Sequence, residues 1–296
     1  MKNSIKGIGI LCLLVAVIGT GCNPFHRISA RRKLVDGATE YKNRKFDKAE
    51  ELFRSILESE PEVASPEARF AEVFLARTIH MKFMANTKNV ELANNAIALY
   101  KQAIERNPSD EKSFEAVGGL FKSLKKDDEW KSWYTTRANN EAVPGPQRAT
   151  ALVQLSAERY KCTKEVTDDE SIKKKQQENG ELVFRFSKPA DVAKFEDLKK
   201  CTAEGTVLID RALELQKAAA AETDNAWAYK MNFTIQSMRI ADMEGRNDDR
   251  LKFKAEADKA RQRKEALEAE RKAKEEAEEQ RKAAEAGVAA EADKKK

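Results

Sequence analysis

Histidine occurs only twice in the 296 residues, at His26 and His80. No spaced set of histidines exists for a metal or a general base. The chain also lacks H-E-x-x-H, G-x-S-x-G and the P-loop, and beyond its first residues any strand-linked G-x-G-x-x-G. Its acidic residues are dispersed along helix faces. No nucleophile or base stands out, so no catalytic residue, metal site, cofactor or enzymatic activity is expected. Glycine (12) and proline (7) are few, which predicts a mostly helical chain. Neither sign of charge dominates, because 55 Lys and Arg stand against 50 Asp and Glu, a formal net charge of +5. Interspersed signs favour solubility over a nucleic-acid groove, and no nucleic-acid partner is expected. There is also no apolar run of the ~20 residues that a spanning helix needs.

One shorter apolar run exists. It extends from Gly7 to Gly19, follows Lys2 and Lys6, and leads into Thr20, Gly21 and Cys22. A charged start, a short apolar core and a small-residue exit are the parts of a secretory signal. Ile18-Gly19-Thr20-Gly21-Cys22 resembles the lipobox of bacterial lipoproteins, with Gly19 where that family usually has Leu. An uncut anchor and an ordinary signal peptide are the alternatives. The resemblance implies a signal peptide at 1–21, an acylated Cys22 as mature N-terminus and a leader at 22–29. Two or more acyl chains hold a protein stably at a membrane. Asn23 after the cysteine points, within that resemblance, to the outer membrane facing the periplasm.

The next signal is self-similarity. "GATEYKNRKFDKAEELFRSILESEP" runs from Gly37 to Pro61, with Tyr41, Phe46, Ala49 and Phe53 at helical spacing. "AIALYKQAIERNP" repeats its second half through Ala96, Tyr100, Ala103 and Pro108, and "FEAVGGLFKSL" repeats its first half through Phe114, Val117, Gly118 and Phe121. Small residues let antiparallel helices approach and aromatics fill the space between pairs. Pro61 and Pro108 end the second helices, because proline lacks an N–H and disfavours helix in the residue before it. The pattern resembles the tetratricopeptide repeat, a helix–turn–helix unit. An ordinary helical bundle is the alternative. The resemblance implies an all-α solenoid of about five helical hairpins over 30–251. The units are expected at about 30–63, 64–110 and 111–144. The fourth follows Pro144-Gly145-Pro146, with helices at about 147–162 and 201–219, and the fifth starts in "DNAWAYKMNFTIQSM" and turns at "EGRNDD".

Between the helices of the fourth unit lies an insertion, 163–200, that does not read as helix. Asn179-Gly180 separates two extended runs, and Leu182, Phe184 and Phe186 alternate with Val183 and Arg185. This predicts a β-hairpin of about 171–177 and 181–187. Cys162 and Cys201 flank it. In an oxidising envelope this pair is expected to form a disulfide; two packed thiols, or a redox or metal site, are the alternatives. The hairpin reads as a lid on the solenoid or as a docking strand for a partner's sheet edge.

From about 252 to 296 the chain is almost wholly Ala, Glu, Lys and Arg. Glu268/Lys272, Glu270/Lys274 and Glu278/Lys282 are favourable i,i+4 pairs. Repeated large apolar a/d residues are missing. A solvated single helix that frays near Gly287 is expected, acting as a spacer or a solubilising tail.

The tetratricopeptide resemblance implies a protein or peptide partner from the envelope, held in a groove lined by the first helices. The candidate groove residues are Arg31, Leu34, Ala38, Tyr41, Lys42, Glu72, Leu75, Lys112, Glu115, Lys122, Asn225, Asn232 and Gln236. Lys42, Lys112 and Lys122 are the candidates for holding a carboxylate. The rival functions are a small-ligand carrier serving a transporter, which needs a deep cavity beside the insertion, and an envelope spacer acting through the tail.

Overall fold

The computed structural model describes residues 24–178 and 180–294, and side chains for all of these except 24–26, 181 and 286–294. Cys22 and the signal-like segment lie outside the described residues, as does Asn179. The chain forms helices α1 (Pro24–Lys42), α2 (Phe46–Ser59), α3 (Pro66–Ala85), α4 (Val90–Arg106), α5 (Glu111–Ser123), α6 (Asp127–Asn139) and α7 (Gly145–Thr167). A short 3-10 turn, Glu170–Ile172, leads into strands β1 (Lys173–Glu178) and β2 (Glu181–Phe186). Helices α8 (Val192–Ala218), α9 (Asp224–Met243) and α10 (Asn247–Lys294) follow. No described helix is long and apolar enough to cross a membrane. The protein is all-α, built of helical hairpins, with one small β insertion. The chain divides within α4, after Ala103, into two compact units.

Local chemistry starts the helices. Ser65 accepts from Ala68 N at 3.1 Å with Pro66 at the first position of α3, and Asp110 accepts from Ser113 N at 3.1 Å at α5. Asp191 and Thr223 cap α8 and α9 in the same way. These side-chain acceptors satisfy amides that have no partner inside the helix.

One turn is used repeatedly between helices. Arg44, Lys125, Ala220 and Gly245 all have positive φ. In each case the next amide reaches back five residues to close the helix: Lys45 N to Glu40 O at 2.9 Å, Lys126 N to Phe121 O at 2.9 Å, Ala221 N to Gln216 O at 2.8 Å and Arg246 N to Ala241 O at 2.8 Å. This is the Schellman closure, in which a left-handed residue ends a helix while its last carbonyls stay bonded. Three of the four turns fall inside a helical hairpin, α1–α2, α5–α6 and α9–α10.

In the first unit α2 packs on both α1 and α3. Gly37 of α1 is pressed on the ring of Phe53, where an added Cβ would lie 2.7 Å from the ring. Phe53 in turn stacks on Phe74 at 5.5 Å. The extra length of the second repeat is helix at both ends, since α3 runs on to Ala85 and α4 already starts at Val90. The two meet where His80 sits edge-on to Tyr100, ring centres 6.0 Å apart.

In the second unit Gly118 of α5 lies against Tyr134 of α6, and Gly205 of α8 against Phe233 of α9. Arg137 is buried and makes three contacts: it donates to Pro108 O at 3.1 Å and to Glu111 Oε2 at 2.6 Å, and covers the Phe114 ring at 4.1 Å. Burial raises the Glu111 carboxyl above its ordinary value, against the pull of Arg137. Burial likewise pushes the Tyr134 hydroxyl up to about 12.

The expected hairpin is present. β1 and β2 pair antiparallel with Lys173 opposite Phe186, Lys175 opposite Phe184 and Glu178 opposite Glu181, around Gly180 at φ 84. The disulfide Cys162–Cys201 is formed, with Cα atoms 6.2 Å apart. Its placement differs from the expectation. α7 continues past Cys162 to Thr167 and α8 starts before Cys201 at Val192, so the bond staples two helix interiors and not the ends of the insertion. Asp191 supplies the earlier start by capping α8.

The tail differs too. α10 packs along α9 well beyond 252, burying Ala257, Ala260 and Leu267. Arg263 pairs with Glu222 at 2.7 Å and Arg271 with Asp224 at 3.1 Å. Only from 269 to 285, the last side chains described, are all its side chains exposed. The helix also continues through Gly287 to Lys294, where fraying is expected from the sequence. A helix of this length rises 1.5 Å per residue, and its i,i+4 ion pairs offset the weak propensity of one glycine.

Candidate partner-binding surfaces

Two compact units mean two surfaces, each with its own share of the expected groove residues. On the first unit Arg31 and Lys42 of α1 are exposed, and Leu34, Ala38 and Tyr41 are half-buried. Tyr41 is fixed edge-on against Phe46 at 5.7 Å and Phe74 at 6.1 Å, which leaves part of its ring at the surface. Glu72 and Leu75 are not on an open face, being only 3% and 2% exposed. The buried residues of α3 are Ala68, Ala71, Glu72, Leu75, Ala76, Thr78, Ile79 and Phe83, and the helix packs on α1 and α2 and meets α4 at His80–Tyr100. The open face lies across the helix. It carries Phe70 at 59% exposure and Met84 at 53%, with Arg77 seven residues from each on the same side. Phe70 is an exposed aromatic, while Phe74 one turn on is packed against Tyr41 and Phe53. The 3–4 spacing of Ala68, Ala71, Leu75, Ile79 and Phe83 is the sequence signal that locates the covered face.

On the second unit Lys112, Glu115 and Asn225 are exposed and Asn232 is half-buried. Gln236 is fully buried, its amide donating to Thr167 Oγ1 at 3.3 Å. It is an interior polar contact and presents nothing to a partner. Lys122 is already engaged, with Asp127 at 2.9 Å, Glu158 at 3.5 Å and the Trp130 ring at 4.3 Å. Burial works against its charge, but the two carboxylates outweigh it and hold Nζ above the ordinary lysine value. It is a positioned cation and not a free arm.

Lys122 does border a cleft of about 890 Å³ between α6, α7 and α8, with Trp130, Lys131, Leu155, Arg159 and Val207 among its walls. Val207 is 69% exposed, a large apolar side chain at the mouth. Charges of both signs ring it, since Asp127, Glu158 and Glu204 stand beside the three cations. An apolar floor with fixed charges of both signs can hold an extended or helical polypeptide segment. The sequence expectation places such a groove on first helices; here α6 and α8, which are second helices, make most of the wall. Side-chain spacing alone does not reveal which sides of a hairpin stay open.

Among the described residues no group of three or more His, Cys, Asp and Glu could hold a metal ion. His80 is half-buried with Nδ1 3.4 Å from the Tyr100 hydroxyl, and desolvation pushes its pKa below the ordinary value. Among the described residues no carboxylate hydrogen-bonds to its ring, the partner that commonly orients a histidine base.

No family model and no curated protein matches the chain. Eight solved chains match its fold. One is the nearly identical TPR-like repeats assigned to a kinesin light chain of Podosopora anserina, with 13% identity and a TM-score of 0.35 over 84% of this chain and 98% of that one. Another is a tetratricopeptide repeat protein from Parabacteroides merdae, with 12% identity and a TM-score of 0.33 over 81% of this chain and 93% of that one. The tetratricopeptide-type character of this chain rests on its own hairpins, with a small residue against a ring at Gly37–Phe53 and Gly118–Tyr134 and one turn used again at Arg44, Lys125 and Gly245.

Proposed function

We propose that the chain is a non-catalytic scaffold that binds an envelope protein or peptide and is itself held at a bacterial membrane by lipid on Cys22, facing the periplasm. The observation that carries the binding role is the cleft of about 890 Å³ on the second unit, floored by Trp130 and Leu155 and edged by exposed Val207. The Cys162–Cys201 disulfide supports an oxidising compartment, because such bonds do not persist in a reducing cytosol. The lipobox-like run before Cys22 supports export and anchoring.

The two parts are tested separately. For anchoring, Cys22→Ser is expected to stop incorporation of labelled palmitate and to move the protein from the membrane to the soluble fraction. Unchanged labelling would overturn the lipoprotein reading. For binding, a photo-crosslinker at Val207 in the full chain, in its own cells, is expected to capture one discrete envelope protein. Lys131→Glu is expected to reduce that adduct, and a crosslinker at Glu275, outside the cleft, to miss it. No discrete adduct from Val207, or the same adducts from both positions, would move the role to the exposed end of α10 and favour a spacer.

A further inference from the structure

The second unit has another cavity, of about 540 Å³, where the β-hairpin folds over α9 and α10. The hairpin is held there firmly. Phe186 is buried with Ile172, Val166, Phe195, Leu198, Ile240 and Met243. Asp242 of α9, almost wholly buried, accepts from Phe186 N at 2.6 Å and from Arg185 Nε at 2.7 Å. The hairpin is therefore a fixed wall.

The walls have two characters. Val183, Phe184, Phe186, Ile235 and Met238 are apolar. Phe184 is 50% exposed and Phe186 only 8%, so one ring anchors the strand while the other faces the opening. Arg239, Arg250 and Lys254 supply positive charge. The acidic residues on the cavity are already paired: Glu170 with Lys173 at 2.7 Å, Asp258 with Arg261 at 2.9 Å, and Glu178 with Arg185 at 2.6 Å and Arg250 at 3.7 Å. Arg239 and Lys254 have no carboxylate at ion-pair distance among the described residues.

Arg239 is the unusual group. Its guanidinium stacks on Phe186 at 4.7 Å and donates to Thr167 Oγ1 at 3.1 Å. Its Nε is buried with no hydrogen-bond partner among the described residues, and the Nε of Arg250 across the cavity is in the same condition. Buried donors in folded proteins are nearly always bonded, and a cation taken from water is costly when its counter-charge, here Asp168, acts only from beyond ion-pair distance. Burial pushes the Arg239 pKa below the ordinary arginine value, which is the same cost seen as a proton equilibrium. A ligand carboxylate would bring counter-charge to this cation and accept from the part of the guanidinium that lines the cavity, and the aromatic and aliphatic wall suits a hydrocarbon body. The volume falls in the range of small-molecule sites, about 300–1,000 Å³.

We propose that this cavity binds a small anionic amphiphile, an organic carboxylate with an aliphatic or aromatic body, with the head on Arg239 and Lys254 and the body against Phe184, Phe186, Ile235 and Met238. The site lies apart from the cleft of the preceding section and does not depend on the scaffold role.

The probe is decanoate, titrated calorimetrically into the full chain, with decanol as the neutral analogue of the same length. Saturable one-to-one binding of decanoate is expected, with decanol at least roughly tenfold weaker, as befits a charge-assisted pair in a sheltered site. Arg239→Gln should weaken decanoate at least roughly tenfold and leave decanol unchanged. Phe184→Ser, at a half-exposed position, should weaken both without shifting the melting temperature. No saturable decanoate binding, equal affinity for decanol, or indifference to Arg239→Gln would overturn the site. Should Arg239→Gln fail to fold, the decanoate–decanol comparison on the native chain and the Phe184→Ser titration decide the matter alone.

Discussion

Gly118 and Gly119 are neighbours in α5 with opposite demands. A Cβ on Gly118 would lie 2.5 Å from the Tyr134 hydroxyl and 2.7 Å from its ring, and Tyr134 is buried. A Cβ on Gly119 would meet nothing within 4 Å. Gly118→Ala should therefore destabilise by about 1–3 kcal/mol, because overpacking outweighs the gain in helix propensity. Gly119→Ala should stabilise by about 0.5–1 kcal/mol, since only the propensity gain remains. Denaturant midpoints of the two variants check the contrast, and matching signs would refute the close-approach argument. His80 is the other single residue with a readable consequence. Desolvation holds it below its ordinary pKa of 6.5. The unfolded chain then binds the proton more tightly than the folded one, so this contribution to stability is complete above about 6.5 and is lost as pH falls toward the depressed folded value. The melting temperature is expected to drop between pH 7 and 5.5, above most carboxylate titrations, and His80→Gln should flatten that drop. An unchanged slope in the variant would assign the dependence elsewhere.

At the scale of elements, the disulfide and the hairpin act on the same helices. Cys162 and Cys201 are 39 residues apart in sequence. Cross-linking a loop of this length removes about 4 kcal/mol of chain entropy from the unfolded state. The Cys162→Ser, Cys201→Ser double variant, or reduction of the native protein, should lower the unfolding free energy by up to that amount, read as an earlier urea midpoint. A loss below about 1 kcal/mol would mean that the α7–α8 packing, with Phe186 and Ile172 beneath the hairpin, already restricts the unfolded chain or relaxes freely without the bond. The recurrent helix closure belongs to this scale too. Gly245 suits a positive φ, whereas Arg44, Lys125 and Ala220 adopt it against their own preference. The backbone bonds to Glu40, Phe121 and Gln216 that this geometry allows offset the strain.

For the molecule as a whole, α10 decides where the folded part ends. Ala257, Ala260 and Leu267 are buried on α9, and Glu222 is held below the ordinary carboxylate value mainly by Arg263. Beyond about Glu275 the described side chains touch only solvent or their own helix. Removing 276–296 should shift the melting temperature by less than about 2 °C. Removing 252–296 strips buried surface from α9 and should cost at least about 3 kcal/mol. Thermal melts of the two truncations check this, and equal melts would show that the α9–α10 contact carries little. The shorter truncation is also the clean test of a spacer role, because it shortens the helix without uncovering the fifth hairpin.

What the sequence determined was local. The five helical hairpins of the described residues, the breaks at Pro61, Pro108 and Pro144, and the β-hairpin around Gly180 follow from residues within a few positions of one another. Proline's missing N–H, glycine's positive φ and the period-2 alternation of Leu182, Phe184 and Phe186 act over that range. The disulfide was legible because two cysteines flanked one insertion. Tertiary structure decided which face of each helix is covered. Leu75 belongs to the 3–4 apolar stripe of α3, whereas Glu72 and Gln236 are polar residues whose spacing suits an open face as well as a covered one, and packing made all three interior, Gln236 against Thr167. The packed half of α10 was hidden because its contacts are mostly alanines, small enough to read as solvated surface until α9 lies against them. The cleft beside Trp130 and the cavity around Arg239 were hidden for the same reason. Each gathers residues from elements far apart in sequence, and no local pattern records which elements will meet.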